Sequence, residues 1–390
     1  MSRRVTRGAS PRRVLLWVGT VLSTAVPLVV LPVTHAAAET EVVSTAPPTI
    51  TGEPAYREVV VAEPGSWQPS VVTVTYQWLV DGDPVPDATH RRYRQQLEDI
   101  GHRLRVQATA TATDPDTGEQ SEGQALSETV RVVRGTFASD ERPTLGGEPR
   151  YDHTLVLRKG HWSRRPDSVR VQWLRDGKPI SGATDRRHHL GLQDFGDRIA
   201  VLLTARKEGF RKAVVMTRWT HQVMHRVPVR HTVTYRVETR GRIVANLGEF
   251  KKQAQETYDD PRGWRGAGIA FRRVGSGGSF VLVLSEASQV PTFSSGCSAE
   301  WSCRVGDHVI INQMRWLIAS PMWHQEHRSL RDYRHMVVNH ETGHWLGHDH
   351  AYCPSAGALA PVMQQQSKGL QGCKPNPWPT VAEWRVPRFN

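Results

Sequence analysis

Hydrophobic and polar residues alternate in short runs over the first two thirds of the chain. In Val72-Thr73-Val74-Thr75-Tyr76-Gln77-Trp78 and in Leu104-Arg105-Val106-Gln107-Ala108 every second side chain is apolar, the period of a half-buried β-strand. Asp81-Gly82 and Asp176-Gly177 stand where hairpins would turn, because Gly takes up positive φ at low cost. Short strands, regular turns and one Trp in a central strand predict β-sandwiches. After about His225 the texture changes. His231 to Val237 reads as a strand, and Asn246 can cap a helix running to about Tyr258, with Leu247, Phe250 and Ala254 on one face. Asp260-Pro261-Arg262-Gly263-Trp264 breaks the chain, and strands are expected at about 269–274, 280–285 and 308–312. Ser329 then caps a helix from Leu330 to about Leu346. The expected chain is multidomain: two all-β sandwiches followed by an α/β (α+β) domain of about 160 residues, enough for its own core.

The alternating region repeats itself. Pro48-Thr49-Ile50-Thr51-Gly52-Glu53-Pro54 returns as Pro143-Thr144-Leu145-Gly146-Gly147-Glu148-Pro149. Trp67 matches Trp162, and Gln77-Trp78-Leu79-Val80-Asp81-Gly82 matches Gln172-Trp173-Leu174-Arg175-Asp176-Gly177. Ala88-Thr89 matches Ala183-Thr184, and Gly101 matches Gly196. Every pair is offset by 95 residues, so two copies are expected, at residues 47–134 and 142–224. The stretch 76–85, and without its Tyr 172–180, resembles the Tyr-Gln-Trp-Leu-x-Asp-Gly-x-Pro-Ile core of the bacterial immunoglobulin-like repeats of surface proteins. That resemblance implies spacer or adhesion modules, with Trp78 and Trp173 as core plugs. Neither copy holds a Cys, so each must hold by packing alone.

The longest apolar run, Val14 to Val33, changes the picture of where the chain works. It follows Arg3, Arg4, Arg7, Arg12 and Arg13, is interrupted by Pro27 and Pro32, and ends at Ala36-Ala37-Ala38. This reads as a secretory signal over residues 1–38, with a retained anchor as the alternative. The formal charge of +12 includes five Arg and no acidic residue in that segment, which leaves +7 on the mature chain. The excess is scattered in pairs such as Arg91-Arg92 and Arg164-Arg165, without the aromatic-interleaved block of a nucleic-acid binder. Such a scattered charge reads first as a solvated surface, with attraction to an anionic cell-wall polymer as the alternative, and it decides little. No stable membrane insertion is expected after signal removal. Four Cys occur, at 297, 303, 353 and 373, and an oxidising compartment predicts two disulfides. Of the three pairings, Cys297–Cys303 and Cys353–Cys373 close local loops. No Cys-x-x-Cys spacing supports a Cys-rich metal site instead.

The strongest chemical signal lies in the last predicted helix. His340-Glu341-Thr342-Gly343-His344-Trp345-Leu346-Gly347-His348-Asp349-His350 fits H-E-x-x-H-x-x-G-x-x-H at every fixed position. Residues i and i+4 share a helix face, so His340 and His344 can meet at one Zn²⁺. Gly347 permits the left-handed turn that ends the helix and returns His350 as a third ligand. Glu341 is placed to act as a general base. His348 is assigned to the surface of the turn, and Trp345 to the core. The strand at 308–312 is either an edge of the substrate cleft or a plain core strand.

These residues resemble the metzincin clan of zinc metallopeptidases, whose Met-turn would be supplied by Met363. Residues from about His231 to Trp384 resemble an uncharacterised family of secreted actinobacterial metzincin-like domains. The resemblance is carried by Asp260 to Trp264, Cys297 to Cys303, Tyr333 to Asn339 and Pro361 to Gln366. Ala351 follows the third His and Gln365 stands two residues beyond Met363, so neither the usual family marker nor a Tyr ligand is expected. No Cys precedes 297 to form a cysteine switch. The resemblance implies a zinc peptidase domain at 226–390 that binds one Zn²⁺. The expected protein is a secreted endopeptidase acting on protein or peptide substrates. A cell-wall (peptidoglycan) peptidase and a non-enzymatic surface adhesin with a structural zinc are the alternatives.

Overall fold

The computed structural model describes residues 41–70 and 72–389; the secretory signal read at residues 1–38 lies outside them. Among the described residues no helix is long and apolar enough to cross a membrane. Chain contacts form two compact units: one of residues up to Thr51, Val61–Tyr93 and Leu104–Val130, the other of Gly52–Val60, Arg94–Arg103 and the chain from Arg131 onward.

The first unit is built on an antiparallel sheet in which Thr73–Val80 pairs with Arg103–Thr113, and that strand pairs with Gln120–Leu126. Strict alternation along Arg103–Thr113 turns Leu104, Val106, Ala108, Ala110 and Ala112 inward, all buried. Trp78 is fully buried, and its indole N–H donates to His90 O at 2.9 Å. Gln77 Nε2 donates to Trp78 O and Val85 O, closing the hairpin that turns at Asp81 and Gly82, both at positive φ.

Within the second unit, Ser168–Arg175 pairs with Lys178–Pro179 and with Ile199–Arg206, which pairs with Ala213–Met216. A second sheet joins Thr144–Gly146, Thr154–Arg158 and Arg187–His189. Leu155 and Leu157 from one sheet meet Trp173, Ile199, Val201 and Leu203 from the other in one core. The repeat is kept to the atom: Trp173 Nε1 donates to Asp185 O at 2.8 Å, and Gln172 Nε2 to Trp173 O and Ile180 O. Both repeats are β-sandwiches.

The same unit continues into a mixed sheet flanked by helices. Its strands are β1 (His231–Arg240), β2 (Ile269–Arg273), β3 (Phe280–Ser285), β4 (Cys303–Val305) and β5 (His308–Asn312). They lie in the order β2-β1-β3-β5-β4, all parallel except β4, which runs antiparallel to β5. Strand β5 is therefore internal, and the short β4 forms that edge; of the two readings of 308–312, the core strand holds. Every residue of β3 is buried, as expected for a strand covered on both faces.

The helices are α1 (Leu247–Asp259), α2 (Gln313–Ile318), α3 (Pro321–Gln325) and α4 (Leu330–Trp345). Asn246 and Ser329 cap α1 and α4 with side-chain acceptors to Glu249 N and Asp332 N, both at 3.0 Å. Helix α4 is nearly all buried because α1 packs along it. Tyr258 O–H meets Thr342 Oγ1 at 2.9 Å, and Gln253 donates to Arg331 O. Tyr258, Phe280, Trp264, Trp345 and Met363 share the core beneath.

Candidate metal centre

Helix α4 carries His340, Glu341 and His344 on its last two turns and then stops at once. Gly347 has φ +95°, its N–H bonds His344 O, and His348 N–H bonds Gly343 O at 3.0 Å. That pair of bonds is the Schellman ending, and it turns the chain so that His350 returns over the helix. The nitrogens of His340, His344 and His350 come within 4.8 Å of one another. His344 Nε2 and His350 Nε2 are 3.2 Å apart. The structure thus brings together all three histidines expected from the motif.

Hydrogen bonds set which ring nitrogen faces the centre. His340 Nδ1 lies 2.8 Å from Val362 O, and His344 Nδ1 2.8 Å from His348 O. Carbonyl oxygens only accept, so both Nδ1 atoms carry the proton and both Nε2 atoms present lone pairs. Burial pushes all three rings below the ordinary histidine value, and the neighbouring imidazoles add to it for His340, which falls to about 3. Three imidazoles within reach of one point, two of them with Nε2 lone pairs turned inward, are a donor set that a transition-metal ion could occupy.

Glu341 is 6% exposed, and its carboxylate makes no hydrogen bond or ion pair with the described residues. Burial pushes it up to about 8, against the pull of the Arg304 and Lys368 cations. An unpartnered buried carboxylate is costly, and such groups concentrate where chemistry needs them. It opens onto a cavity of about 560 Å³, shared with the three histidines, Tyr333, Trp301 and the Cys297–Cys303 disulfide. Arg304 of β4 and Lys368 also line it, and among described residues neither has a salt bridge. Glu300, at the same cavity, is engaged by Arg315 at 3.6 Å.

Met363 is 1% exposed and packs under α4, where a methyl group added at Gly343 would overlap its Sδ and the Trp264 ring. The turn holding it is fixed by Glu383, whose carboxylate accepts from Val362 N at 3.1 Å and Met363 N at 2.8 Å. Through Val362 O, that turn orients His340. Cys297–Cys303 and Cys353–Cys373 are both formed, as the short loops favoured, and the second closes a loop around Met363.

Three supports were missed from sequence. Gly343 occupies a variable position of the motif, and only the packing against Met363 explains it. Glu383 had a signal, the Thr380-x-x-Glu383 capping spacing. His348 was expected at the surface of the turn; instead its ring stacks on Trp264 at 5.0 Å and its buried Nε2 has no hydrogen-bond partner among the described residues. The apolar ring of Trp264 draws it inward.

Residues 208–377 match the family described as "Protein of unknown function (DUF3152)". A search of curated proteins returns no match. Among solved structures, the chain is similar to the three N-terminal domains of the bacteriophage RB49 Highly Immunogenic Outer Capsid protein, with 13% identity, 50% of this chain and 65% of that one covered, and a TM-score of 0.21. It is also similar to fibronectin(III)-like modules of Clostridium thermocellum CbhA, with 11% identity, 47% and 94% covered, and a TM-score of 0.18. A Ca²⁺-stabilized adhesin of an Antarctic bacterium shows 11% identity over 49% of this chain and 52% of that one, with a TM-score of 0.22. The chain spans about half the length of that adhesin.

Proposed function

We propose that residues 226–390 are a secreted, zinc-dependent endopeptidase of the metzincin kind. The observation that carries this reading is the pairing of two features in one cavity. Three imidazoles converge, two of them with their Nε2 lone pairs turned inward by backbone carbonyls, and the buried carboxylate beside them has no hydrogen-bond or ion-pair partner among the described residues. His340, His344 and His350 would hold the ion. Zinc, when bound, supplies Lewis-acid activation of a carbonyl and of water. Glu341 takes up the proton released on nucleophilic attack and returns it to the leaving amine. The cavity lies beside the antiparallel edge strand Cys303–Val305, whose free backbone side suits an extended peptide. The cationic Arg304 and Lys368 favour substrates with acidic groups near the cleaved bond. Two disulfides fit an exported enzyme.

The test combines metal analysis with a protease screen. The purified chain should hold one zinc and cleave an unstructured protein, with both properties abolished by a chelator. A well-folded chain that takes up no zinc rejects the metal centre. One that holds zinc and cleaves neither casein nor muropeptides rejects the enzyme.

A further inference from the structure

The two sandwiches share a frame, so residues that differ at equivalent places show what one has beyond the fold. Ser127 Oγ accepts from Val106 N at 3.0 Å, and Ser127 N donates to Val106 O. In the second copy Thr217 Oγ1 accepts from Val201 N at 3.0 Å, and Thr217 N donates to Val201 O. Val106 and Val201 are partners in the 95-residue repeat, so Ser127 and Thr217 occupy one position of the frame. The residues that follow are Glu128-Thr129 in the first copy and Arg218-Trp219 in the second. At the start of each copy, Pro47 stands where the second has Arg142.

These substitutions build something. Arg142, Arg218 and Trp219 line a cavity of about 550 Å³ with Pro143, Leu145 and Thr220, and no Asp or Glu lines it. Trp219 is half-buried, unlike the fully buried core indole of Trp173, and its N–H makes no hydrogen bond with the described residues. Arg142 and Arg218 are exposed and have no ion pair among the described residues. A third cation, Arg198, lies 6.0 Å over one face of the Trp219 ring, but it is paired with Asp176 at 3.6 Å and is not counted in the site. The first copy folds with Pro, Glu and Thr at the matching places, so the fold does not require this set.

We propose that this groove is a binding site for an anionic glycan. A sugar ring lies against the Trp219 face, and its carboxylate or phosphate pairs with Arg142 and Arg218. An indole offers a flat apolar surface with a polar N–H at its rim, which suits a ring with an apolar face and hydroxyl edges. Guanidinium groups match the planar carboxylate or phosphate geometrically. A nucleic-acid strand would need successive stacking platforms along a basic track, and this groove has one aromatic. The proposal is independent of the metal centre.

The test titrates the full chain with four polymers at about 150 mM salt, where exposed charges more than a Debye length apart are largely screened. Polygalacturonate carries carboxylates on sugar rings and a glucosylated glycerol-phosphate polymer carries phosphates beside them. Dextran is the neutral glycan and polyglutamate the anion without a ring. One or both anionic glycans should bind at least about tenfold more tightly than dextran and polyglutamate, and which of them binds identifies the anion. Trp219→Thr and Arg218→Glu, the residues of the first copy, should each weaken that binding about tenfold or more at unchanged melting temperature. Should either variant melt early, Arg142→Gln at an exposed position decides in its place. Polyglutamate binding as tightly, variants binding as wild type, or no anionic glycan binding at all would each overturn the proposal.

Discussion

The second sandwich and the C-terminal domain each bury a carboxylate, and they treat it in opposite ways. Asp194, 2% exposed, is saturated. Arg175 Nε and Nη2 donate to its Oδ1 at 2.9 and 2.7 Å, and His188 Nε2 and the Gly191 N–H donate to its Oδ2. Burial pushes its pKa up, but the bonds from His188, Arg175 and Gly191 together outweigh it and hold the group below the usual carboxylate range. Glu341 is buried almost as deeply and has no such hydrogen bonds among the described residues, so burial outweighs the pull of Arg304 and Lys368 and raises it. The difference teaches where stability ends and chemistry begins. A buried carboxylate fully hydrogen-bonded supports the fold, whereas a buried carboxyl without such bonds is a candidate for chemistry, as the proposed function has it.

The largest effects should fall on the unpaired side. Glu341→Gln keeps the side-chain volume and removes the base that the proposed peptidase reading assigns. Peptide hydrolysis should fall about 10²-fold or more, with zinc content unchanged and a melting temperature equal to or above wild type. His344→Ala should remove zinc altogether in metal analysis. Hydrolysis by Glu341→Gln at the wild-type rate would erase the contrast with Asp194 and leave a structural zinc site in a surface adhesin.

Asp194→Asn should show the reverse signature: no effect on hydrolysis, and a loss of about 3 kcal/mol from the second sandwich because Arg175 loses its buried partner. The pH dependence has a definite sign. A carboxyl whose folded pKa is depressed contributes stability above its unfolded value near 4, and that contribution disappears as pH falls through the lower folded value. Wild type should therefore lose stability steeply below about pH 4, and the Asn variant more gently. Urea denaturation at pH 7 and pH 3 measures both limbs. Equal slopes would show that Asp194 is not the group responsible.

Gly343→Ala tests the floor of the metal centre. The added methyl must displace Met363 and Trp264, at a cost of about 1–3 kcal/mol, and weaker zinc retention should accompany the lower melting temperature. An unchanged melting temperature would mean that Met363 has room to move.

What was legible in the sequence follows the same division. Local rules found the elements that local interactions form: Asn246 and Ser329 as caps, the Asp-Gly turns, β3 and β5, and the Trp at the core of each sandwich. The motif spacing placed His340, His344, His350 and Gly347 because a helix and one turn relate them. The remaining parts depend on residues distant in the chain. Strand β4 is three residues long and gains its place only by pairing with β5. Gly343 matters because Met363 and Trp264 converge on it, and His348 turns inward because Trp264 lies there. Arg218 and Trp219 fall outside the constant 95-residue offset, and only the hydrogen bonds of Ser127 and Thr217 align them with Glu128 and Thr129.

The smallest effect distinguishes the two ends of α4. Ser329→Ala removes one cap hydrogen bond, to Asp332 N, and should cost about 1 kcal/mol. The loss frays the first turn, which lies remote from the histidines, so zinc affinity and hydrolysis should stay at wild type. Gly347→Ala should cost a similar amount, because a non-glycine residue is strained at φ +95° and its Cβ would meet Pro387 Cβ at 3.1 Å. Its consequence differs, since Gly347 sets the path by which His350 reaches the centre and His348 O holds His344. Zinc competition with a chelator should therefore show weaker binding for Gly347→Ala alone, although the two variants melt nearly together. Equal zinc affinities at equal stability would mean that the Schellman turn only ends the helix, and that His350 is positioned instead by the Ala351 N–H bond to Met363 O.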